Sequence, residues 1–83
     1  MGSPVRIRPN VLQIVNGTDL LKWEDISGTH QECCPIDLNP FNGGDDIIRI
    51  KSCQHIFREE NLRNWFRHSP RCPICRYDIR DGS

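Results

Sequence analysis

Short apolar runs separated by breakers lay out the chain. Residues 5–26 hold VRIRPNVLQIV, interrupted by Pro9, then Asn16-Gly17, then TDLLKWEDI. Asn-Gly between apolar runs signals a hairpin. Thr18 or Asp19 serves equally as the cap of a short helix with Leu20, Leu21 and Trp23 on its apolar side, and the pattern leaves both open. Either way Val11, Leu12, Ile14, Val15 and Trp23 need burial. Packing against the rest of the domain as an extension of its core is favoured over a separate docking surface. SGTHQE (27–32) reads as a linker, and NPFNGGDD (39–46) as a loop whose Pro and Gly pair break periodicity. IIRI (47–50) and HIF (55–57) pair as short strands across KSCQ. REENLRNWFR (58–67) is helical, because Leu62, Trp65 and Phe66 fall at i, i+3 and i+4. Glu59 and Glu60 at its start and Arg67 at its end suit the helix dipole, and Ser69-Pro70 stops it. RCPICRYDIR then forms a tight turn and a short tail.

Composition narrows this layout. The 83 residues are 36% hydrophobic and 27% charged, with formal net charge +0. One domain at most is expected, with residues 5–32 as extension and linker and 33–80 as its body. Met1-Gly2-Ser3 reads as a cloning remnant. So short a chain buries little apolar surface, and a metal or disulfides would help it fold. Neither a signal peptide nor a membrane span is expected, since no apolar run reaches the needed length. The five cysteines are an odd number, unlike a secreted disulfide framework. Their grouping points to metal binding in a reducing compartment, cytoplasm or nucleus. Asn16-Gly17-Thr18 matches a glycosylation sequon but reads better as a turn. From Ile47 to Arg80 there are eight Lys/Arg against three Asp/Glu. A solvated basic face is favoured there over a nucleic-acid surface.

Cys53, His55, Cys72 and Cys75 are the candidate metal ligands. CPIC at 72–75 lets both thiolates reach one ion. In Cys53-Gln54-His55, positions i and i+2 on a strand point to the same side. Sixteen residues separate His55 from Cys72, room for a helix and return. Three thiolates and one imidazole close a tetrahedral site with no open position, which is structural zinc. Structural zinc supplies roughly 10–16 kcal/mol of apparent binding energy in finger peptides. CPID at 34–37 begins the same phrase and breaks it at Asp37.

C-P-I-x, then C-x-H-x-F, L-x-x-W-F and C-P-I-C-R over residues 34–76 resembles the RING finger. The resemblance implies a small α+β zinc-binding domain with a short β-hairpin, one central helix and two loops. A RING holds two zincs through eight ligands in a cross-brace: ligands one, two, five and six take the first ion, the others the second. In this register Cys53, His55, Cys72 and Cys75 are a complete second site. The first falls on Cys34, Asp37, Arg58 and Asn61. Arginine stays protonated and lacks an acceptor, so it cannot ligate zinc, and asparagine is a poor ligand. A carboxylate and a guanidinium can pair bidentately instead, similar to the polar contacts by which a U-box replaces both zincs. One zinc per chain is therefore expected, with a polar cluster at the first site and a softer first loop. An irregular second site from His30, Cys33, Cys34 and Asp37 is a poorer alternative. In the favoured reading Cys33 and Cys34 are free thiols, one buried and one near the surface. His68 is a bystander in the last turn of the helix.

No residue set reads as chemically catalytic. The RING resemblance implies a ubiquitin ligase that holds a ubiquitin-charged conjugating enzyme and favours transfer. Ile36 matches the apolar contact of the first loop, Trp65 the groove residue of the helix and Pro73 the second loop's proline. Arg76 matches the linchpin that bonds both ubiquitin and the conjugating enzyme, a preorganising role. Two other readings stay open: a SUMO ligase of SIZ/PIAS type, which also binds one zinc, and a non-catalytic protein or nucleic-acid module. CRYDIR (75–80) and the N-terminal extension also resemble RING-like proteins of large DNA viruses, which would place the chain in an infected cell.

Overall fold

The computed structural model describes residues 9–81. Helix α1 spans Val11–Gly17 and strand β1 follows at once as Thr18–Lys22. Strands β2 (Asp46–Ile50) and β3 (Ile56–Arg58) lead into helix α2 (Glu59–Trp65). Trp23–Asp25 and Ile79–Asp81 are single 3-10 turns.

Residues 11–22 form neither a hairpin about Asn16-Gly17 nor a helix capped by Thr18 or Asp19. The helix comes first, started by a capping box: Asn10 Oδ1 accepts from the Gln13 amide at 2.8 Å and Gln13 Oε1 from the Asn10 amide at 2.9 Å. Gly17 is its last residue, packed beside Ile79, and its carbonyl accepts from the Lys51 amide at 2.9 Å. TDLLK is then drawn into the sheet by β2.

The sheet is antiparallel with order β1-β2-β3, pairing Leu20 with Ile48 and Ile48 with Phe57. Cross-strand ion pairs help set the β1 register: Lys22 with Asp46 at 2.6 Å and Asp19 with Arg49 at 3.4 Å. As the middle strand, β2 is covered on both faces, so Ile47, Ile48 and Ile50 are all buried although neighbours point to opposite sides. Helix α2 lies over β2 and β3, and its apolar face puts Leu62 and Phe66 into a core with Phe41, Ile56, Phe57 and Ile79. Glu59 pairs with Arg63 one turn on, at 2.8 Å. The Gln31 carboxamide binds both the amide and the carbonyl of Ile56, at 2.8 and 2.9 Å, which ties the 27–32 segment to the free edge of β3.

Of the apolar residues expected to be buried in the N-terminal region, Ile14 and Trp23 pack against the core. Val11, Leu12 and Val15 do not, and are 74%, 68% and 60% exposed. Helix α1 has only two turns and packs mainly through Ile14 and Gly17, so its other sides face water. No helix among the described residues is long and apolar enough to cross a membrane.

Candidate metal centre

One backbone device recurs three times. In each copy the amide of residue i+4 turns back to the carbonyl of residue i, and the amide of i donates to the carbonyl of i+5. In Cys34–Asn39 these bonds are 2.7 and 3.0 Å, in Cys72–Tyr77 2.9 and 2.8 Å, and in Ile50–His55 2.7 and 3.0 Å. The fifth residue must enter the left-handed region: Leu38, Gln54 and Arg76 have φ of +64°, +65° and +68°. They are the non-glycine residues of positive φ among those described. The fourth residues are Asp37, Cys53 and Cys75, of which Cys53 is half-buried and the other two are exposed.

The second and third knuckles supply the metal-binding geometry. The ligand atoms of Cys53, His55, Cys72 and Cys75 all lie within 4.8 Å of one another. They are the one such group of His, Cys, Asp or Glu among the described residues. Cys72 Sγ is 3.5 Å from His55 Nδ1 and accepts from the Ile74 amide at 3.4 Å. Burial pushes the Cys53 thiol up to about 12 and raises the Cys72 thiol as well. Cys75 goes the other way: burial opposes it, but the Tyr77 amide and the Cys53 and Cys72 thiols lower it, and a cation would hold all three as thiolates. Three soft sulfurs and one imidazole nitrogen at this spacing fit a four-coordinate zinc. The irregular set His30, Cys33, Cys34 and Asp37 does not gather.

The first knuckle is held differently. Cys34 is fully buried, and its Sγ accepts from the Arg58 amide at 3.5 Å and from Asn61 Nδ2 at 3.6 Å. Asn61 Nδ2 also donates to Asp37 Oδ2 at 2.6 Å. The four residues that the RING register places at the first site therefore meet, but not as a bidentate Asp37–Arg58 pair. Arg58 Nε stands 3.6 Å from Asp37 Oδ2, while Nη1 donates to the Asp45 carboxylate and Nη2 to the Pro40 carbonyl. The guanidinium thus bridges two carboxylates and a backbone oxygen. The Asn39 amide, then the Asn61 carboxamide and the Arg58 charge, lower the Asp37 carboxyl below its usual range. The Asn42 amide, then Arg58, lower Asp45.

Asp45 is the partner that sequence reasoning missed. Its one sequence cue is Asn42-Gly43-Gly44-Asp45, where an Asp side chain can close a turn, as it does by accepting from the Asn42 amide at 2.7 Å. The support continues into the N-terminal segment. Arg58 lies 5.8 Å over the Phe41 ring, which stacks on Trp23 with centroids 4.8 Å apart. Glu24 Oε1 accepts from the Gly44 amide at 2.6 Å, and the Trp23 amide donates to the Asp45 carbonyl at 3.0 Å.

The remaining named residues sit around these loops. Ile36 is half-buried on the first loop and packs against the core. Trp65 is half-buried on α2, with Nε1 donating to the Arg71 carbonyl at 2.6 Å, which ties the helix to the second loop. Pro73 is half-buried in that loop, and Arg76 is exposed at its left-handed corner. His68 and Cys33 are exposed.

A small α+β unit that pins interleaved loops around a closed Cys3His cluster is a zinc-finger architecture. A family model described as "Ring finger domain" matches residues 28–76, more than half of the chain. The chain belongs to the RING finger family. The RING-H2 finger protein ATL70 of Arabidopsis thaliana is 33% identical over 75 residues, which are 80% of this chain and 35% of that protein. The E3 ubiquitin-protein ligase arkadia of Xenopus tropicalis is 37% identical over 49 residues, 59% of this chain and 5% of its own length. The crystal structure of the RING-H2 domain of Arabidopsis RMR1 superposes with TM-score 0.74 and 23% identity, over 88% of this chain and 92% of that one. The chain spans from a fifth to about a third of the length of the first curated relatives it matches. These relatives lend no support to the viral likeness of residues 75–80.

Proposed function

We propose that this domain is the ligase module of a ubiquitin E3 and that it works with a single zinc. Cys53, His55, Cys72 and Cys75 would hold the ion, which would supply structure and no chemistry, since four protein ligands leave no open position. The first loop keeps its shape through Cys34, Asp37, Arg58 and Asn61, joined by Asp45. The observation that carries the reading is the equivalence of the two CPI loops: the same turn-back bonds and the same left-handed corner recur although one has lost its cysteine ligand. The loop keeps its shape through backbone bonds and polar contacts, and it carries Ile36 at the family's contact position.

In this reading Ile36, Trp65 and Pro73 meet the conjugating enzyme, with Trp65 held in place by the Arg71 carbonyl. Arg76 extends into solvent from a corner fixed by its own backbone amide. There its guanidinium donates to carbonyl oxygens of ubiquitin and of the conjugating enzyme, holding the thioester in the conformation an incoming amine attacks. No proton or electron pair passes through the domain, and the acceleration comes from positioning. The setting is a reducing compartment, where Cys33 and Cys34 stay thiols.

The deciding experiment is a single-turnover discharge assay with ubiquitin-loaded conjugating enzymes, run beside elemental analysis of the folded domain. One zinc per chain and a discharge rate that falls at least about tenfold in Arg76→Ala, with unchanged thermal stability, are expected. Two zincs per chain would refute the one-metal reading. Discharge of SUMO-loaded but not ubiquitin-loaded enzyme would move the domain to the SIZ/PIAS reading, and no discharge of either to a scaffold.

A further inference from the structure

Each CPI loop closes on a short stem, and each stem is braced by a tryptophan. The stem of the second loop is the bridge between Arg71 and Asp78, and Trp65 Nε1 donates to the Arg71 carbonyl at 2.6 Å. The stem of the first is the bridge between Cys33 and Pro40, closed by the Phe41 amide on the Glu32 carbonyl at 3.0 Å. Trp23 stacks on Phe41 with centroids 4.8 Å apart. Its amide donates to the Asp45 carbonyl at 3.0 Å, and Glu24 Oε1 accepts from the Gly44 amide at 2.6 Å. Trp23 and Glu24 therefore grip the 39–46 loop on both sides, between the first-loop stem and the Asp45 carboxylate that holds Arg58. They follow directly on β1, which pairs with β2 over its whole length. Trp65 lies within the residues 28–76 matched by the family model, and Trp23 lies outside them.

We propose that Trp23 is a positioning residue of the ligase: by fixing the stem of the first loop it holds Ile36 where the conjugating enzyme meets it. The inference rests on the ligase reading above. A loop with Arg58 and Asn61 at its ligand positions takes no anchoring from a zinc, so its stem is held from the N-terminal extension instead. A stem free to move would leave Ile36 in many positions, and binding would then carry the entropic cost of ordering the loop. That cost falls on association. The transfer step in the assembled complex depends on Arg76, which stands on the second loop with its own stem and its own tryptophan. Trp23 therefore governs how much domain is needed, and not how fast the saturated complex reacts.

The test is a single-turnover discharge assay in which the whole chain is titrated over a fixed amount of ubiquitin-loaded conjugating enzyme. This separates the half-saturating concentration from the plateau rate. Trp23→Ala should raise the half-saturating concentration about fivefold and leave the plateau within about twofold, with zinc content unchanged. Trp23→Phe, which keeps an aromatic stack, should restore the wild-type value. Ile14→Ala removes packing at the other end of the same extension, and should lower the melting temperature without moving either parameter. In an Ile36→Ala background, Trp23→Ala should add less than about twofold, because both act through one contact. An unchanged half-saturating concentration in folded Trp23→Ala would overturn the proposal. So would a plateau that falls in parallel, an Ile14→Ala variant equally weakened, or full additivity with Ile36→Ala. If Trp23→Ala melts below the assay temperature, Glu24→Ala decides, since it frees the Gly44 amide without touching the core. It should raise the half-saturating concentration about twofold, and no change there would equally overturn the proposal. An unaltered domain that discharges no conjugating enzyme refutes the ligase reading itself, and this inference with it.

Discussion

The loops Cys34–Asn39 and Cys72–Tyr77 share a backbone and differ in what anchors them. In Cys72–Tyr77 the fourth position is a thiol that joins three other metal-ligating side chains within 4.8 Å. In Cys34–Asn39 it is a carboxylate that takes Asn61 at 2.6 Å and stands 3.6 Å from Arg58. The local fold is the same although the fourth side chain is a carboxylate in one and a thiol in the other, so the turn-back bonds and one left-handed residue set the turn. What a metal adds is attachment of that turn to distant parts of the chain. At the first loop the attachment is spread over Arg58, Asp45, the Pro40 carbonyl, Phe41 and Trp23. A zinc site concentrates its anchoring in four bonds and fails at once when the ion leaves. A polar cluster fails in steps.

Removing zinc should therefore have the largest effect. Chelation, or Cys75→Ser, should unfold the second loop and most of α2, with loss of helical circular dichroism and of cooperative melting, since the apparent binding energy at stake is about 10 kcal/mol. A chelated domain that still melts cooperatively near its original temperature would show that the cluster is not the anchor.

Arg58→Ala should come next. It strips the first loop of its bridge and should lower the melting temperature by about 5–10 °C. Amide exchange at Leu38 and Asn39 should speed up while zinc content stays the same. An equal acceleration in the Cys72–Tyr77 loop would mean the two anchors are not independent. Trp23→Ala should loosen the same first loop to a smaller degree, through the lost stack on Phe41.

Among the carboxylates, Asp45→Asn should destabilise more than Asp37→Asn, by a few degrees of melting temperature, because Arg58 bonds Asp45 directly. The reverse order would restore Asp37 as the main partner. The smallest effect is that of mild acid. Both carboxyls are lowered from 3.8. A depressed folded-state pKa gives stability that is full above the unfolded value and lost as pH falls through the folded one. The first loop should hold its contacts from pH 7 to about 5 and lose them only below 3.8. Carboxyl carbon shifts that move above that value would contradict the cluster as described.

Several of these features were legible in the chain itself. CPIC, C-x-H and the helical spacing of Leu62, Trp65 and Phe66 are local patterns, and local geometry brings the residues within each of them close. That let Cys53, His55, Cys72 and Cys75 be grouped from the sequence as the structure groups them, along with β2, β3 and α2. Asp37, Arg58 and Asn61 could be grouped because the RING register links them. The path 11–22 could not be read. Asn16-Gly17 and Thr18 are turn and cap residues in isolation, and the choice among helix, hairpin and strand was made by a distant partner: β2, with Asp46 and Arg49 opposite Lys22 and Asp19.

The polar anchor was likewise decided in three dimensions. A guanidinium has five donors and takes whichever acceptors the fold brings to it. Here the 39–46 loop, itself pinned by Trp23 and Glu24, delivered Asp45 and the Pro40 carbonyl ahead of Asp37. Sequence by itself determined which residues can hold a metal, because ligand chemistry belongs to each side chain and knuckle spacing is short. Tertiary structure decided how the ligand-poor loop is held, because hydrogen bonds and stacking depend on surfaces brought together from across the chain.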